Sequence, residues 1–232
     1  MAAWETRLDE ICEAHGLGDE ARDGLGRLLE LIRDDDGAPT TVRDPASAVD
    51  VHVADSLVAL EIDVVRSAST IADLGSGAGF PGLALACARL DADVALVESV
   101  GRKCMFLERA VAAAGAANVE IACTRAEEWD RRGLDLVCAR AVAPLAVLVE
   151  YAAPLLRIGG AFVAWKGRHE EDEERAGRQA APIVGLEPAE RRGVSPFEGA
   201  EHRTLYVYSK VEETSSRFPR RPGMARKRPL AA

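Results

Sequence analysis

One stretch of the chain, from Ile71 to Gly82, constrains the fold more than any other. It reads Ile-Ala-Asp-Leu-Gly-Ser-Gly-Ala-Gly-Phe-Pro-Gly, a short apolar run followed by closely spaced glycines. The run from Thr70 to Leu74 is typical of a buried strand, and Pro81 has the fixed φ that suits a first helical turn. Glycines adopt positive φ and let a ligand approach the backbone closely. The stretch therefore predicts a strand, a turn that can face a ligand, and a helix.

The chain after this turn alternates between helical and strand patterns, which indicates an α/β fold with a mainly parallel sheet and helices on both faces. We expect strands at 70–74, 93–98, 118–123, 134–140, 161–166, 183–186 and 204–210, the last one antiparallel. Helices are expected at 102–114 and from Pro144 to about Leu156, with Gly159-Gly160 turning the chain.

Apolar residues at three- and four-residue spacing predict two amphipathic helices before residue 34 and a third from Ala46 to Ala59. His52, Asp55 and Ser56 fall near one face of the third helix. A functional role for them stays open, but we favour the interpretation that they cap the helix and pack it against the main domain. We expect a helical extension at 1–60, a Rossmann-like domain at 61–211 and a basic tail without regular structure at 212–232.

Charge and cysteine usage indicate the compartment. The formal charge of −9 favours solubility and argues against a generally basic surface that coats nucleic acid. The five cysteines are never spaced as Cys-x-x-Cys, so we expect reduced core thiols and no metal site. No secretory signal or membrane-length apolar run is present, which predicts a cytoplasmic protein with no membrane partner. The sequence leaves the oligomeric state open.

The glycine spacing fits two classes of cofactor. Gly75-x-Gly77-x-Gly79 suits the turn that binds S-adenosylmethionine, whereas Gly77-x-Gly79-x-x-Gly82 satisfies the dinucleotide pattern. Asp73, at the end of the strand, could accept hydrogen bonds from the methionine ammonium group but would repel a diphosphate. This acid favours S-adenosylmethionine, while a nicotinamide cofactor or a turn without a ligand stays possible.

Ligands of open α/β sheets collect beyond the carboxyl ends of the strands. At the second strand end, Glu98 could accept hydrogen bonds from both ribose hydroxyls of an adenosine, in either cofactor. Ala126 and Glu127 follow the third strand, where the adenine edge would lie. Arg125, Arg140 and Lys166 add cations to the same edge.

The residues at the end of the fourth expected strand indicate which kind of nucleophile a methyl-transfer reaction would use. The Asn/Asp-Pro-Pro-aromatic motif that serves methylation of exocyclic amino groups is missing, because 138–144 reads Cys-Ala-Arg-Ala-Val-Ala-Pro. This favours a nucleophile that needs no deprotonation, such as guanine N7. Arg140 could align such a base by donating to O6 or to a phosphate, since N7 must stay free to react.

The tail carries concentrated positive charge. Residues 217–228 include six basic residues and no acid, interrupted by proline and glycine. Such a segment can follow an RNA backbone and become ordered on binding, or it can be a frayed terminus.

Seven short motifs occur from residue 41 onward: Val-Arg-Asp-Pro at 42–45 with His52 and Asp55-Ser56, the turn at 73–82, Glu-Ser-Val-Gly-Arg-Lys at 98–103, Arg-Ala-Glu-Glu at 125–128, Ala-Arg-Ala at 139–141, Trp-Lys-Gly at 165–167, and Phe-Pro-Arg-Arg-Pro-Gly at 218–223. Together they resemble the bacterial small-subunit ribosomal RNA guanine-N7 methyltransferases, historically called the glucose-inhibited division protein B family. Two positions depart from that pattern: 38–40 reads Ala-Pro-Thr instead of Asn-Leu-Thr, and Glu98 stands where Asp is common.

The resemblance implies a class I S-adenosylmethionine-dependent fold and methylation of a guanine N7 in 16S ribosomal RNA. Together with the strand-end argument, it places the cofactor at Asp73, Gly75, Gly77, Gly79, Phe80, Glu98, Ala126, Glu127 and Arg140. The expected RNA contacts are Arg102, Lys103, Arg125, Lys166, Arg220, Arg221, Arg226, Lys227 and Arg228. Two other functions stay open: a nicotinamide-dependent oxidoreductase, and a non-catalytic RNA-binding assembly factor that retains a cofactor pocket.

Overall fold

Seven strands form one sheet in the computed structural model, which describes residues 2–231. The strands are β1 (Thr70–Leu74), β2 (Asp93–Val97), β3 (Val119–Ala122), β4 (Leu134–Arg140), β5 (Leu156–Lys166), β6 (Leu186–Val194) and β7 (Arg203–Lys210). Their order is β3-β2-β1-β4-β5-β7-β6. The first five strands are parallel, and β7 runs antiparallel to both β5 and β6. The expected mainly parallel sheet with an antiparallel last strand is confirmed.

Helices cover both faces of this sheet. The α-helices are α1 (Ala3–Ala14), α2 (Asp19–Asp34), α3 (Pro45–Ala48), α4 (Asp55–Leu57), α5 (Asp63–Arg66), α6 (Gly82–Ala88), α7 (Gly101–Ala114), α8 (Leu145–Ala152), α9 (Glu171–Ala180) and α10 (Met224–Lys227). Side chains of each strand alternate between two cores, because successive strand residues point to opposite faces. Ile71 and Leu136 pack with α2, α6 and α7, whereas Ala72 and Val137 pack with α8.

The two expected N-terminal helices are confirmed as α1 and α2. The third expected helix is helical throughout, but its winding changes along its length. Between α3 and α4 the residues Val49–Ala54 form a π-helical stretch, and Val58–Glu61 form a 3₁₀ turn after α4. A π-helical stretch has more residues per turn than an α-helix, and such stretches are frequent at functional sites. This stretch carries His52, and Asp55 follows directly after it.

Two strand boundaries differ from the sequence prediction. Gly159 and Gly160 lie inside β5, which begins at Leu156, and do not turn the chain. A Cβ on Gly160 would lie 2.8 Å from the carbonyl oxygen of Leu134, so only glycine fits beside the neighbouring strand. The expected strand at 183–186 is largely wrong, because Ala181–Val184 form a 3₁₀ turn and β6 starts only at Leu186.

The expectation that all cysteines are reduced is wrong for two of the five. Cys104, in the first turns of α7, and Cys123, directly after β3, form a disulfide with a Cα–Cα distance of 5.9 Å. The two residues are 19 positions apart, and only the packing of α7 beside β3 brings them together. Cys12, Cys87 and Cys138 are buried free thiols, as expected. Across residues 2–231, the helices are all too short or too polar to span a bilayer.

Candidate functional site

The glycine turn leaves β1 at Leu74 and enters α6 at Gly82. Gly75, Gly77 and Gly79 have φ values of +73°, +56° and +96°, so the predicted positive φ is confirmed at each. The amide of Gly75 donates to the carbonyl oxygen of Val97 at 2.7 Å, which ties the turn to the end of β2. Pro81 precedes the first residue of α6, so the helix begins one residue later than the prediction that placed Pro81 in its first turn.

Asp73 lies buried beneath this turn. Its Oδ2 accepts a hydrogen bond from the amide of Gly82 at 2.9 Å, while its backbone oxygen accepts one from Ser76 Oγ at 2.8 Å. Its Oδ1 is also buried and has no partner among the residues that the structure describes. Burial raises the pKa of the Asp73 carboxyl to about 6. The second oxygen is thus an unused acceptor, which fits an ammonium group at the end of β1.

Glu98 follows β2 and connects the turn to α7. Its Oε1 accepts hydrogen bonds from the amides of Ser99 and Val100, at 2.8 and 2.9 Å. Its Oε2 accepts one from the amide of Gly77 at 3.2 Å and lies 3.7 Å from Lys103 Nζ. A carboxylate has about four acceptor positions, so Oε2 can still accept from a further donor. The structure thus places Glu98 beside the glycine turn, where a residue that binds the ribose is expected to lie.

A small cavity of about 90 Å³ opens where β1, β2 and β3 end. Its lining includes Gly75, Ala126 and Glu127, three of the residues expected to contact the cofactor. It also includes Ser99, Thr124, Arg125, Val142, Tyr151 and Arg226. Sequence reasoning missed Tyr151, which lies within an ordinary apolar helix pattern. We call the region bounded by the glycine turn, Glu98 and this cavity the cofactor cleft.

Arg140 stands at the end of β4, on the other side of the glycine turn. Its Nη1 donates to Asp55 Oδ2 at 2.8 Å and to the carbonyl oxygen of Val51 at 3.1 Å. Its guanidinium carbon lies 5.5 Å from the centre of the Phe80 ring, within reach of a cation–π contact. Phe80 in turn stacks on His52, with ring centres 4.8 Å apart. Arg140 therefore links the turn to the N-terminal helical extension.

Asp55 is the buried centre of this link. Its second carboxylate oxygen accepts from Arg203 Nε at 2.9 Å, and its backbone oxygen accepts from Trp165 Nε1 at 2.8 Å. Asp55 thus joins α4 to β4, β5 and β7. The packing interpretation of this residue is correct but incomplete, because it also holds two guanidinium groups in place.

His52 is neutral in this setting. Its Nε2 donates to the carbonyl oxygen of Val42 at 3.0 Å, and burial together with the nearby Arg140 charge lowers its pKa to about 4. The ring therefore serves as a flat packing partner for Phe80 at neutral pH.

A second cavity, of about 290 Å³, opens beside Arg140 at the ends of β4 and β5, and we call it the cationic cavity. Its lining residues are Val51, His52, Asp55, Arg140, Ala141, Trp165, Lys166, Gly167 and Arg203. Three of these side chains are cationic, and Asp55 is the one acidic side chain in the lining. Lys166 Nζ donates to the carbonyl oxygen of Ala143 at 2.7 Å. Sequence reasoning missed Arg203, which begins β7 and lies directly before the strand expected at 204–210.

The other expected RNA contacts lie at several places. Arg102 and Arg125 are exposed, beside the starts of α7 and of the 3₁₀ turn Ala126–Glu128. Lys103 is half-buried and faces Glu98. Arg125 lines the small cavity and Lys103 faces Glu98, so these two cations lie at the cofactor cleft, and none of the three lines the cationic cavity.

The C-terminal segment, defined here as residues 217–231, is packed against the domain. Phe218 and Ala225 are buried in the core on the α8 side. The expectation of a tail without regular structure is wrong for Met224–Lys227, which form α10. Arg220, expected to contact RNA, pairs instead with buried Glu150, while the side chains of Arg221, Lys227 and Arg228 are exposed.

Comparison with known proteins shows which family the chain resembles in sequence. The family model described as rRNA small subunit methyltransferase G matches residues 38–195. The Ribosomal RNA small subunit methyltransferase G of Rubrobacter xylanophilus is 40% identical over 199 residues, covering 81% of this chain and 75% of the relative. The protein of the same name from Roseiflexus castenholzii is 41% identical over 201 residues, covering 82% and 83%.

Solved structures agree on the fold. Aeropyrum pernix fibrillarin, crystallised with bound S-adenosyl-L-methionine, superposes with a TM-score of 0.55 at 19% identity, covering 67% of this chain and 73% of its own. The ribosomal protein L11 methylase of Lactobacillus delbrueckii gives a TM-score of 0.53 at 16% identity, covering 68% and 77%. These likenesses show the class I methyltransferase fold. The matched family model and the relatives above establish that the chain belongs to the rRNA small subunit methyltransferase G family.

Proposed function

We propose that this protein transfers the methyl group of S-adenosylmethionine to N7 of a guanine in 16S ribosomal RNA. The observation that carries the proposal is the position of Arg140. This side chain reaches the glycine turn through Phe80 and lines the cationic cavity on its other side. A base held in that cavity would lie next to the cofactor cleft, as methyl transfer requires.

The residues of the cleft fit the cofactor. S-adenosylmethionine supplies a methyl group bound to a positively charged sulfur, which makes that methyl electrophilic. The unpartnered Oδ1 of Asp73 would accept from its ammonium group, and Glu98 from its ribose hydroxyls. Glu127 would accept from the adenine amino group. Gly75 presents backbone to the ligand because its positive φ and the contact with Val142 leave no space for a side chain.

The cationic cavity suits a base that needs positioning and no deprotonation. Guanine N7 carries an in-plane lone pair, so no proton has to leave before it reacts. Arg140, Lys166 and Arg203 can donate to O6 or to the adjoining phosphates. Asp55 fixes two of these guanidinium groups and offsets part of their charge. The protein therefore has to align guanine N7 with the methyl group. Accurate alignment can raise the reaction rate by several orders of magnitude.

The substrate is proposed to be the ribosomal RNA of the small subunit, reached in the bacterial cytoplasm. The relatives are named for this RNA. Exposed cations around the cleft and on the C-terminal segment, Arg102, Arg125, Arg221 and Arg228 among them, can neutralise phosphates despite the net charge of −9.

The test is a methyl-transfer assay with small ribosomal subunits purified from cells that lack this protein. We expect incorporation of labelled methyl groups from S-adenosylmethionine at one guanine, and chain cleavage specific for N7-methylguanine should map it. Calorimetry with S-adenosylhomocysteine and with NAD provides the binding control. Binding of S-adenosylhomocysteine without methyl incorporation would indicate a non-catalytic assembly factor, and binding of NAD alone would indicate an oxidoreductase.

A further inference from the structure

We propose that the C-terminal segment forms the outer wall of the cofactor cleft and sets its affinity for the adenosine end of the cofactor. This inference rests on the proposed function, since it takes the cleft to be the cofactor site. It assigns to the segment a role beyond contact with RNA, and it names Arg226 and Gly223 as residues that position the site.

The segment is anchored in the domain before it reaches the cleft. Glu150, in the last turn of α8, has 0% exposure and accepts three hydrogen bonds from Arg220. The donors are the backbone amide, Nε and Nη2 of Arg220, at 3.0, 2.9 and 2.6 Å. Arg220 Nη2 also donates to the carbonyl oxygen of Arg228 at 2.9 Å, which closes the segment on itself. A buried carboxylate without its partner is costly, so Glu150 holds the segment in this position.

Beyond this anchor, the segment contacts the cleft at two points. The amide of Gly223 donates to Glu127 Oε1 at 2.9 Å, and this glycine has a φ of +79°. Arg226 Nη2 donates to the carbonyl oxygen of Val142 at 2.8 Å, and its side chain lines the cavity beside Gly75. Both contacts are to residues that bound the cleft.

The contact with Val142 matters because the loop after β4 is held in an uncommon conformation. Ala141 has a φ of +56°, a region that non-glycine residues occupy only when their surroundings hold them there. Two cationic side chains hold the carbonyl oxygens that follow: Arg226 binds that of Val142, and Lys166 binds that of Ala143. Val142 in turn packs against Gly75, where a Cβ would lie 2.6 Å from Val142 Cγ2. Arg226 therefore positions the loop that faces the glycine turn.

The contact with Glu127 acts on the adenine side. The hydrogen bond from Gly223 to Oε1 restricts the orientation of the Glu127 carboxylate, which keeps further acceptor positions for a ligand. Fixing an acceptor in advance lowers the entropy cost of binding. The structure thus gives the segment two inward contacts and, at Arg221 and Lys227, exposed cations on the outside.

The test is calorimetric titration of S-adenosylhomocysteine, without RNA, into the full chain and three variants. Arg226→Ala should bind about tenfold more weakly, as loss of one charge-assisted hydrogen bond predicts. Lys227→Ala, the matched exposed neighbour on α10, should bind like the unaltered chain. A chain ending at Ser216 should bind more weakly than Arg226→Ala, with thermal unfolding as the check that it folds.

Equal affinity of Arg226→Ala and the unaltered chain would overturn the inference, whatever the shortened chain does. Tighter binding by the shortened chain would also overturn it, because the segment would then obstruct the cleft. These outcomes leave the proposed function standing. Failure of the unaltered chain to bind S-adenosylhomocysteine would contradict both proposals.

Discussion

Arg140 donates a 2.8 Å hydrogen bond to Asp55, and this contact joins the end of β4 to the N-terminal helical extension. The two residues are 85 positions apart in the chain. Because Asp55 also binds Arg203, one buried carboxylate orients two cations at the edge of the cationic cavity. The extension therefore builds part of the wall of the cationic cavity.

Replacing Arg140 by lysine tests this arrangement. Lysine keeps the positive charge but lacks the planar guanidinium, whose Nη1 binds Asp55 and Val51 while the group contacts the Phe80 ring. We expect methyl transfer to small subunits to fall about a hundredfold, as misplacement near a reacting atom does. Affinity for S-adenosylhomocysteine should change much less. Arg157→Lys, at the far end of β5 and paired with Asp135, is the matched control and should keep full activity. Full activity of Arg140→Lys would remove the alignment role.

Replacing Arg220 by alanine tests the anchor of the C-terminal segment. The substitution leaves Glu150 buried without its partner, so we expect a loss of about 3 kcal/mol in the free energy of unfolding. Arg221→Ala, next in the chain and exposed, should change it by less than about 0.5 kcal/mol. Urea denaturation measures both values. Adding Glu150→Gln to the Arg220 variant should recover part of the loss, because no buried charge then remains. Equal stability of the two single variants would contradict the buried pair.

The carboxyl of Asp73 should make cofactor affinity depend on pH. Burial raises its pKa to about 6, so it is largely protonated at pH 5 and largely charged at pH 7. An ammonium ligand binds the charged form, and binding therefore releases a proton. Affinity for S-adenosylhomocysteine should rise roughly tenfold from pH 5 to pH 7. Titrations at both pH values measure the change, and Asp73→Asn should show a flat profile. A flat profile in the unaltered chain would show that Asp73 does not meet the ammonium group.

His52 should contribute a pH-dependent term to stability. Its pKa is about 4 in the fold and 6.5 ordinarily, so between these values the unfolded chain binds more protons. Stability from His52 is therefore present above pH 6.5 and is lost as the pH falls toward 4. Between pH 7 and pH 5 we expect the unaltered chain to lose about 2 kcal/mol more than His52→Gln. Comparing the two proteins by urea denaturation separates His52 from Asp73, whose raised pKa acts in the opposite direction. Parallel profiles would mean that His52 titrates normally.

The exposed cations of the C-terminal segment should contribute to RNA binding through phosphates. Arg221→Gln, Lys227→Gln and Arg228→Gln combined should reduce the slope of log affinity against log salt by about 2. Filter binding of 16S RNA fragments between low and moderate salt measures this slope. A chain with Arg175→Gln, on α9 away from the cleft, provides the charge control. An unchanged slope in the triple variant would assign the RNA contacts to other surfaces.

Local sequence patterns determined much of this protein. The apolar run and glycines at 70–82 specify β1, the turn and the start of α6, because strand burial and positive φ are properties of a few adjacent residues. Parallel strand order then brings Asp73, Glu98, Glu127 and Arg140 to one edge, since a parallel sheet collects its carboxyl ends there. The fold class and the position of the cofactor cleft follow from these two facts.

Only the tertiary structure decided which distant side chains meet. Arg203 binds Asp55 across 148 positions, and Arg220 binds Glu150 across 70. Such pairs leave no periodic signal in the sequence, because a charged residue at a strand end or in a tail looks the same whether it faces solvent or a buried partner. The packing of strands and helices creates the buried carboxylates, and their desolvation selects the arginines that must pair with them.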